Sequence, residues 1–284
     1  MTYRELSEFS RQTMQRSNVD SFVYDTWCLL EHFFGIKRID FPVKAEDSPD
    51  VQTESVFIEA VKKRSNGYPL QYILGKWTFM DCQFYVGDGV LIPRDDTEVC
   101  VRSCTEWIDG IKKSFPIIID LCSGSGAIAI SLAKKYPFSR IYAAELSDKA
   151  YSYLVKNIEL NQVRNVFPLH QDISQCYENF DDHFFDVIIS NPPYIRTEEI
   201  TSLQKEVQYE PLMALDGGTD GLIFYHLIVQ KWISKLKSGG VISLEIGEDQ
   251  GNDVSKLLKQ NQIENITIIK DIQGFDRTVF GTKK

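Results

Sequence analysis

The apolar positions of this chain follow two different rhythms. From residue 1 to about 75 they recur at helical spacing. Phe22, Trp27, Leu30 and Phe34 follow a capping Asp20 or Ser21 and stop at Gly35, which predicts one helix. Val56, Phe57, Ala60 and Val61 predict a second, from about Val51 to Ser65, ended by Asn66-Gly67. "KWTFMDCQFYVGDGVLI", residues 76–92, alternates like paired strands and contains Gly87-Asp88-Gly89; it predicts a hairpin joining two domains. Beyond it, "IIIDLC", "RIYAAE", "VFPLHQ", "FDVIIS" and "GVISLEIG" read as strands, and "GAIAISLAKKY", "DKAYSYLVKNIEL" and "GLIFYHLIVQKWISKL" as helices between them. That alternation predicts a parallel sheet covered by helices. The end departs from it. "ENITIIK" and "RTVFG" both read as strands, and the few residues from Asp271 to Asp276 are too short for a parallel crossover of ten or more, so this last pair is antiparallel.

Composition narrows the classes. The chain has 284 residues, 43% hydrophobic and 25% charged, as expected of a globular protein. No apolar run approaches the ~20 residues of a membrane span. The start, "MTYRELSEFSRQ", lacks the apolar core of a secretory signal, so a cytoplasmic location is expected. A net charge of −9 leaves room for only a local basic patch, which argues against stable nucleic-acid binding. The six cysteines contain no C-x-x-C, and the four histidines are scattered. Cys100 and Cys104 share a helix face without further ligands nearby. Free, mostly buried thiols and no structural metal are expected.

The candidate chemistry gathers at the strand ends. In "IIIDLCSGSGAIAI", Gly124 and Gly126 allow a tight turn and close approach of a ligand, with helix N–H groups aimed into the same crevice. A glycine pair alone fits a structural turn equally well. Glu145 ends the next strand, 19 residues after Gly126, near the offset at which an acidic residue meets ribose hydroxyls. Asp120, Glu145, Asp172 and Asn191 all fall at strand ends, along the rim where open α/β sheets bind ligands. An acidic rim suits a cation better than a pyrophosphate. S-adenosylmethionine carries a sulfonium, an ammonium and a ribose but no phosphate, and is preferred to a dinucleotide.

"FDVIISNPPYI" runs a buried strand into Asn191, Pro192, Pro193 and Tyr194. Prolines lack the N–H that a strand needs. Read as packing only, this is a proline-rich strand exit. It is also similar to the NPPY motif of methyltransferases that modify planar NH2 groups: adenine N6, guanine N2 or a glutamine side chain. Such a nitrogen has a delocalised lone pair. The Asn191 side-chain oxygen and the Pro192 carbonyl would hold its two hydrogens and aim the lone pair at the methyl group, and Tyr194 would offer a ring face.

The wider sequence resembles one family. "NGYPLQYILG", "GVLIPRDDTEV", "DLCSGSGAIAI", "SNPPYI" and "YEPLMALDGGTDGLIFYHLI" look like the release factor glutamine methyltransferases, also called HemK or PrmC, in order from about Asn66 to Gly281. The resemblance implies an α/β, class I S-adenosylmethionine-dependent methyltransferase fold: a mostly parallel seven-stranded sheet with a C-terminal antiparallel hairpin, plus a small N-terminal helical domain. It implies a substrate-recognition domain at 1–75, a hairpin linker at 76–92 and a methyltransferase domain at 93–284. It also implies methyl transfer to N5 of the glutamine in the Gly-Gly-Gln motif of class I peptide-chain release factors, leaving S-adenosylhomocysteine. Asn191 to Tyr194 would hold the glutamine. Cys122, Ser123, Gly124, Ser125, Gly126, Glu145 and Ile173 would line the cofactor site, with Asn191 touching both ligands. Arg94 to Glu98 would form a wall. Three residues depart from the pattern: Cys122 for a glycine, Asp95 for a proline and Glu145 for an aspartate. A nucleic-acid amino-methyltransferase is the alternative, but it should bring a basic recognition region, and residues 1–75 hold 9 Lys/Arg against 11 Asp/Glu.

Overall fold

Helix signals in the first 75 residues are local and strong. Thr2 and Glu5 form a reciprocal capping box ahead of α1 (Tyr3–Arg16). α2 (Phe22–Phe34) ends at Gly35 in the left-handed conformation, and Ser21 is its N-cap residue, without a side-chain cap bond. A short α3 (Phe41–Lys44) leads to α4 (Val51–Ser65), where Asp50 accepts the Thr53 N–H at 2.9 Å. α5 (Leu70–Leu74) closes the series. Their apolar faces enclose Leu6, Met14, Leu29, Leu30, Phe57 and Val61.

The computed structural model describes residues 1–284, which divide into two units: Met1–Gly75 with Gln204–Tyr209, and Lys76–Leu203 with Glu210–Lys284. The sequence boundaries put Gln204–Tyr209 in the second unit, and the structure moves it to the first. The reason is a buried guanidinium. Arg64 Nε donates to Asp25 at 2.5 Å and its terminal nitrogen meets Glu206 at 2.6 Å. Tyr209 adds an edge-on ring contact to Tyr68 at 5.3 Å.

The second unit opens with a hairpin of β1 (Lys76–Phe79) and β2 (Cys82–Tyr85). It turns at Met80-Asp81, with Met80 at φ 49°, whereas Gly87-Asp88-Gly89 lies beyond the second strand. After α6 (Thr97–Gly110) come β3 (Ile117–Leu121), α7 (Ala127–Lys135), β4 (Arg140–Glu145), α8 (Asp148–Leu160), β5 (Val166–His170), β6 (Phe185–Ser190), α9 (Ile223–Trp232), β7 (Leu236–Glu245), α10 (Gly251–Gln260), β8 (Ile263–Lys270) and β9 (Asp276–Lys283). The sheet order is β5-β4-β3-β6-β7-β9-β8. β3 to β7 pair in parallel, and β9 runs antiparallel to both β7 and β8. β6 is buried along its whole length, which its continuous apolar run required. No helix is long and apolar enough to cross a membrane.

Two amides help build the hairpin into this unit, and the first, Asn161, donates to the Gln83 carbonyl at 2.7 Å. Asn157, on α8 and fully buried, accepts the Tyr85 N–H at 2.6 Å and donates to the Tyr85 carbonyl at 3.1 Å and the Ser125 carbonyl at 2.9 Å. It therefore ties β2 to the turn after β3. Asn157→Ala strands at least one buried donor and is expected to destabilise the protein by about 2 kcal/mol or more. Urea unfolding reads this, and a loss below about 0.5 kcal/mol would contradict it.

Candidate active site

The ends of β3, β4 and β6 and the start of α7 surround a cleft. Its floor is the turn Cys122–Ser125. Ser123 anchors that turn by donating its N–H to the Ala144 carbonyl at 2.9 Å and its hydroxyl to the Asp120 carbonyl at 2.8 Å. Glu145 braces it from the next strand, accepting the Gly124 N–H at 2.8 Å and the Ser147 N–H at 2.7 Å. Burial pushes the Glu145 carboxyl up, and those amides pull it back. Two oxygens offer about four acceptor sites, so Glu145 retains capacity toward the cleft, which it lines.

The two glycines have different jobs. Gly124 lines the cleft at φ 56°, and a Cβ there would meet nothing within 4 Å. Gly126, at φ 84°, is outside the lining; its Cβ would sit 2.5 Å from Leu154 Cδ1 and 3.0 Å from Ile130 Cδ1. Its glycine is required by close packing of α7 and α8 rather than by approach of a ligand. Cys122 also lines the cleft and takes the left-handed φ of 59°, which explains why a glycine suits this position. Burial raises its thiol well above the ordinary range, so it is neutral.

Asp120 differs from the expectation that it stands on the rim. It is fully buried within β3, accepts the Ala129 N–H at 3.2 Å and leaves its other oxygen without a partner. Burial drives its carboxyl strongly up. Asp172 and Ile173 do line the cleft. Asp172 accepts the Ser174 N–H at 2.7 Å, and the Ile173 carbonyl is held by Trp232 Nε1 at 2.9 Å.

Asn191 is half-buried on the cleft wall and donates from Nδ2 to Thr97 Oγ1 at 3.1 Å. Pro192 and Pro193 are buried; Pro193 lines the cleft and Pro192 does not. Tyr194 stands behind this wall, outside the lining. Its hydroxyl donates to Glu245 at 3.4 Å, and its carbonyl accepts from Gln250 at 3.0 Å. Of Arg94 to Glu98, Arg94 and Thr97 reach the cleft.

Four further residues support the site: Glu210, Gly217, Gly221 and Glu245. Glu210, buried, accepts the Ile92 N–H at 3.0 Å and pairs with Arg94. Gly217 and Gly221 back the Asn-Pro-Pro-Tyr stretch: a Cβ at Gly217 would lie 2.7 Å from Tyr194 Cα, and one at Gly221 2.5 Å from the Tyr194 carbonyl. The cluster of three glycines in "DGGTDG" was the available signal. Glu245 gave none, being one acid at the end of an apolar strand.

This strand order, the glycine turn after the first parallel strand and the acidic end of the second define a class I S-adenosylmethionine-dependent methyltransferase. Residues 5–75 match the PrmC N-terminal domain and residues 108–210 the methyltransferase small domain. The release factor glutamine methyltransferase of Thermodesulfovibrio yellowstonii is 36% identical over 267 residues, covering 93% of this chain and 95% of that protein. Those of Clostridium botulinum and Geobacter sulfurreducens are each 33% identical, over 95% and 99% of this chain and 95% and 96% of theirs. The chain belongs to the release factor glutamine methyltransferase family.

Opposite outcomes are expected at two turn positions. Gly126→Val forces a branched side chain into α8 and is expected to cost about 2 kcal/mol or more of stability. Cys122→Gly relieves left-handed strain of about 1 kcal/mol and loses a similar amount to unfolded-chain entropy, so stability should change by less than about 1 kcal/mol. Denaturant unfolding of both variants checks the contrast. A stable Gly126→Val protein would remove the packing explanation.

Proposed function

We propose that this protein transfers the methyl group of S-adenosylmethionine to N5 of the glutamine in the Gly-Gly-Gln motif of class I peptide-chain release factors. The observation that carries this reading is the Asn191 carboxamide on the cleft wall, tied by its NH2 to Thr97 so that its oxygen is left for a substrate. Main-chain donors of the protein leave the Pro192 carbonyl unused as well. Two fixed acceptors suit the two hydrogens of a planar NH2.

The cleft chemistry fits the methyl donor. Glu145 and Asp172 complement a cationic ligand and hydroxyls, while the one basic lining residue, Arg94, is engaged by Glu210. Gly124 leaves open space where a side chain would intrude. Glu145, Asp172 and the Cys122–Ser125 turn would hold S-adenosylmethionine, which when bound would supply an activated methyl carbon to the amide nitrogen, the electron pair of the C–S bond going to sulfur and S-adenosylhomocysteine leaving. Asn191 Oδ1 and the Pro192 carbonyl hold the nitrogen during transfer. The methylated nitrogen loses its extra proton to water, and no side chain is assigned as base. Transfer needs no metal in this scheme. Action in the cytoplasm belongs to the same proposal, and the six free thiols suit a reducing compartment.

Radiolabel transfer to purified release factor, and in parallel to DNA and RNA, tests the reading. Label is expected on the release factor alone and is expected to vanish when the target glutamine becomes glutamate. Asn191→Ala should lower turnover on the order of 10²–10³-fold, as for a lost oxyanion donor, with modest change in cofactor affinity. Near-normal turnover by that variant would leave the stretch as a strand exit only. Label on nucleic acid would favour the amino-methyltransferase alternative.

A further inference from the structure

Asn191 is useful as an acceptor only if its oxygen, and not its NH2, faces the substrate. The two ends of a carboxamide are nearly equal in size, so packing alone does not choose between them; hydrogen bonding must. Nδ2 donates to Thr97 Oγ1 at 3.1 Å, and Thr97 is only 4% exposed. A hydroxyl has a single proton to give. If that proton went to Asn191, the carboxamide would be turned the other way.

Among the side chains that act on the carboxyl of Glu245, at the end of β7 and 1% exposed, is the Thr97 hydroxyl. The Thr97 hydroxyl favours its charged form. Glu245 Oε1 accepts from Tyr194, while Oε2 is buried with its acceptor capacity unused. An ionised carboxylate can only accept, so the Thr97 proton is drawn to Glu245 and its lone pair is left for Asn191. We propose that Glu245 and Thr97 are positioning residues that orient the Asn191 carboxamide with Oδ1 toward the methyl-accepting nitrogen, an inference that rests on the role given to Asn191 above. Glu245 also takes the Tyr194 hydroxyl at 3.4 Å, so one buried carboxylate bears on Tyr194 directly and on Asn191 through Thr97.

The charge on Glu245 is conditional. Burial pushes its carboxyl up to about 7, with the Thr97 hydroxyl, Arg277 and Tyr194 pulling it down and Asp96 pushing it up. Cys100 of α6 and Tyr225 of α9 also face it, both neutral at this pH because burial raises them. Above about 7 the carboxylate orients the chain. Below it, protonated Glu245 can donate to Thr97, whose own proton is then free to turn toward Asn191, and the bias on the carboxamide is lost. Turnover is therefore expected to fall as pH drops through about 7.

The test uses full-length protein, purified release factor and four variants: Thr97→Val, Thr97→Ser, Glu245→Gln and Asn191→Ala. Thr97→Val keeps the shape and removes the hydroxyl; kcat is expected to fall about tenfold or more, with cofactor Kd by calorimetry within about twofold. Thr97→Ser restores the hydroxyl and should recover most of that loss. Glu245→Gln should lower kcat and remove the acid limb of its pH profile, a change that lost packing alone would not produce. Glu245→Gln also replaces a buried charge by a neutral isostere, so it decides the matter if Thr97→Val does not fold. Wild-type kcat in Thr97→Val, or an unchanged acid limb in Glu245→Gln, with Asn191→Ala impaired, would overturn this inference alone. A fully active Asn191→Ala would instead overturn the function assigned to Asn191.

Discussion

The reaction end of the molecule depends on how β6 stops. This strand lies between β3 and β7 and is buried throughout, so it cannot fray into solvent. Ser190 closes it by donating its hydroxyl to the Leu121 carbonyl at 2.6 Å. Two prolines then remove two donors and fix two φ angles. The chain that emerges is stiff, and its carbonyls are not consumed by a continuing ladder. Gln250 holds the Tyr194 carbonyl, and Gly217 and Gly221 let the following segment press against the back of the stretch. A delocalised amide nitrogen needs acceptors that are already in place, because acceptors that must reorganise cost part of what they contribute.

The other half of the cleft obeys a related constraint. The turn after β3 takes left-handed residues at Cys122 and Gly124, and the Ser123 hydroxyl ties it to the Asp120 carbonyl. Further rigidity comes from outside: Glu145 across the sheet, Asn157 from α8 and the Ala144 carbonyl. Each of these is a buried polar group whose partners are main-chain atoms. Substitutions there act on position before they act on chemistry.

Elements with a local signature were legible in the sequence: the helices ending at Gly35 and Asn66, the βαβ alternation, and the antiparallel end forced by a short connection. The strand ends also located the cleft, because side chains at the ends of parallel strands share one rim. What failed depended on the third dimension. Gly87 and Gly89 read as a turn, yet they are small because α8 passes beside them: a Cβ at Gly87 would lie 2.3 Å from the Tyr153 hydroxyl. Gly126, too, is small because of packing: its Cβ would lie 2.5 Å from Leu154 Cδ1 of α8. Asp120 resembles its neighbours on the rim in sequence, but it lies within β3, a strand covered on both faces, and meets the Ala129 N–H of α7. Gln204–Tyr209 follows a buried charge, Arg64, more than a hundred residues earlier. Thr97 falls in the Arg94–Glu98 stretch that the family resemblance marks as a wall, but nothing local pairs it with Asn191, and Glu245 carries no local pattern; the folded chain brings Thr97 to Asn191.

The proposed reaction requires the exit of β6 to present two fixed acceptors to a planar NH2 group. A crystal structure with S-adenosylhomocysteine and a peptide containing Gly-Gly-Gln tests it most directly. The glutamine side-chain nitrogen is expected within about 2.7–3.2 Å of both Asn191 Oδ1 and the Pro192 carbonyl. A glutamine nitrogen bound away from those two oxygens, or facing Asn191 Nδ2, would contradict it.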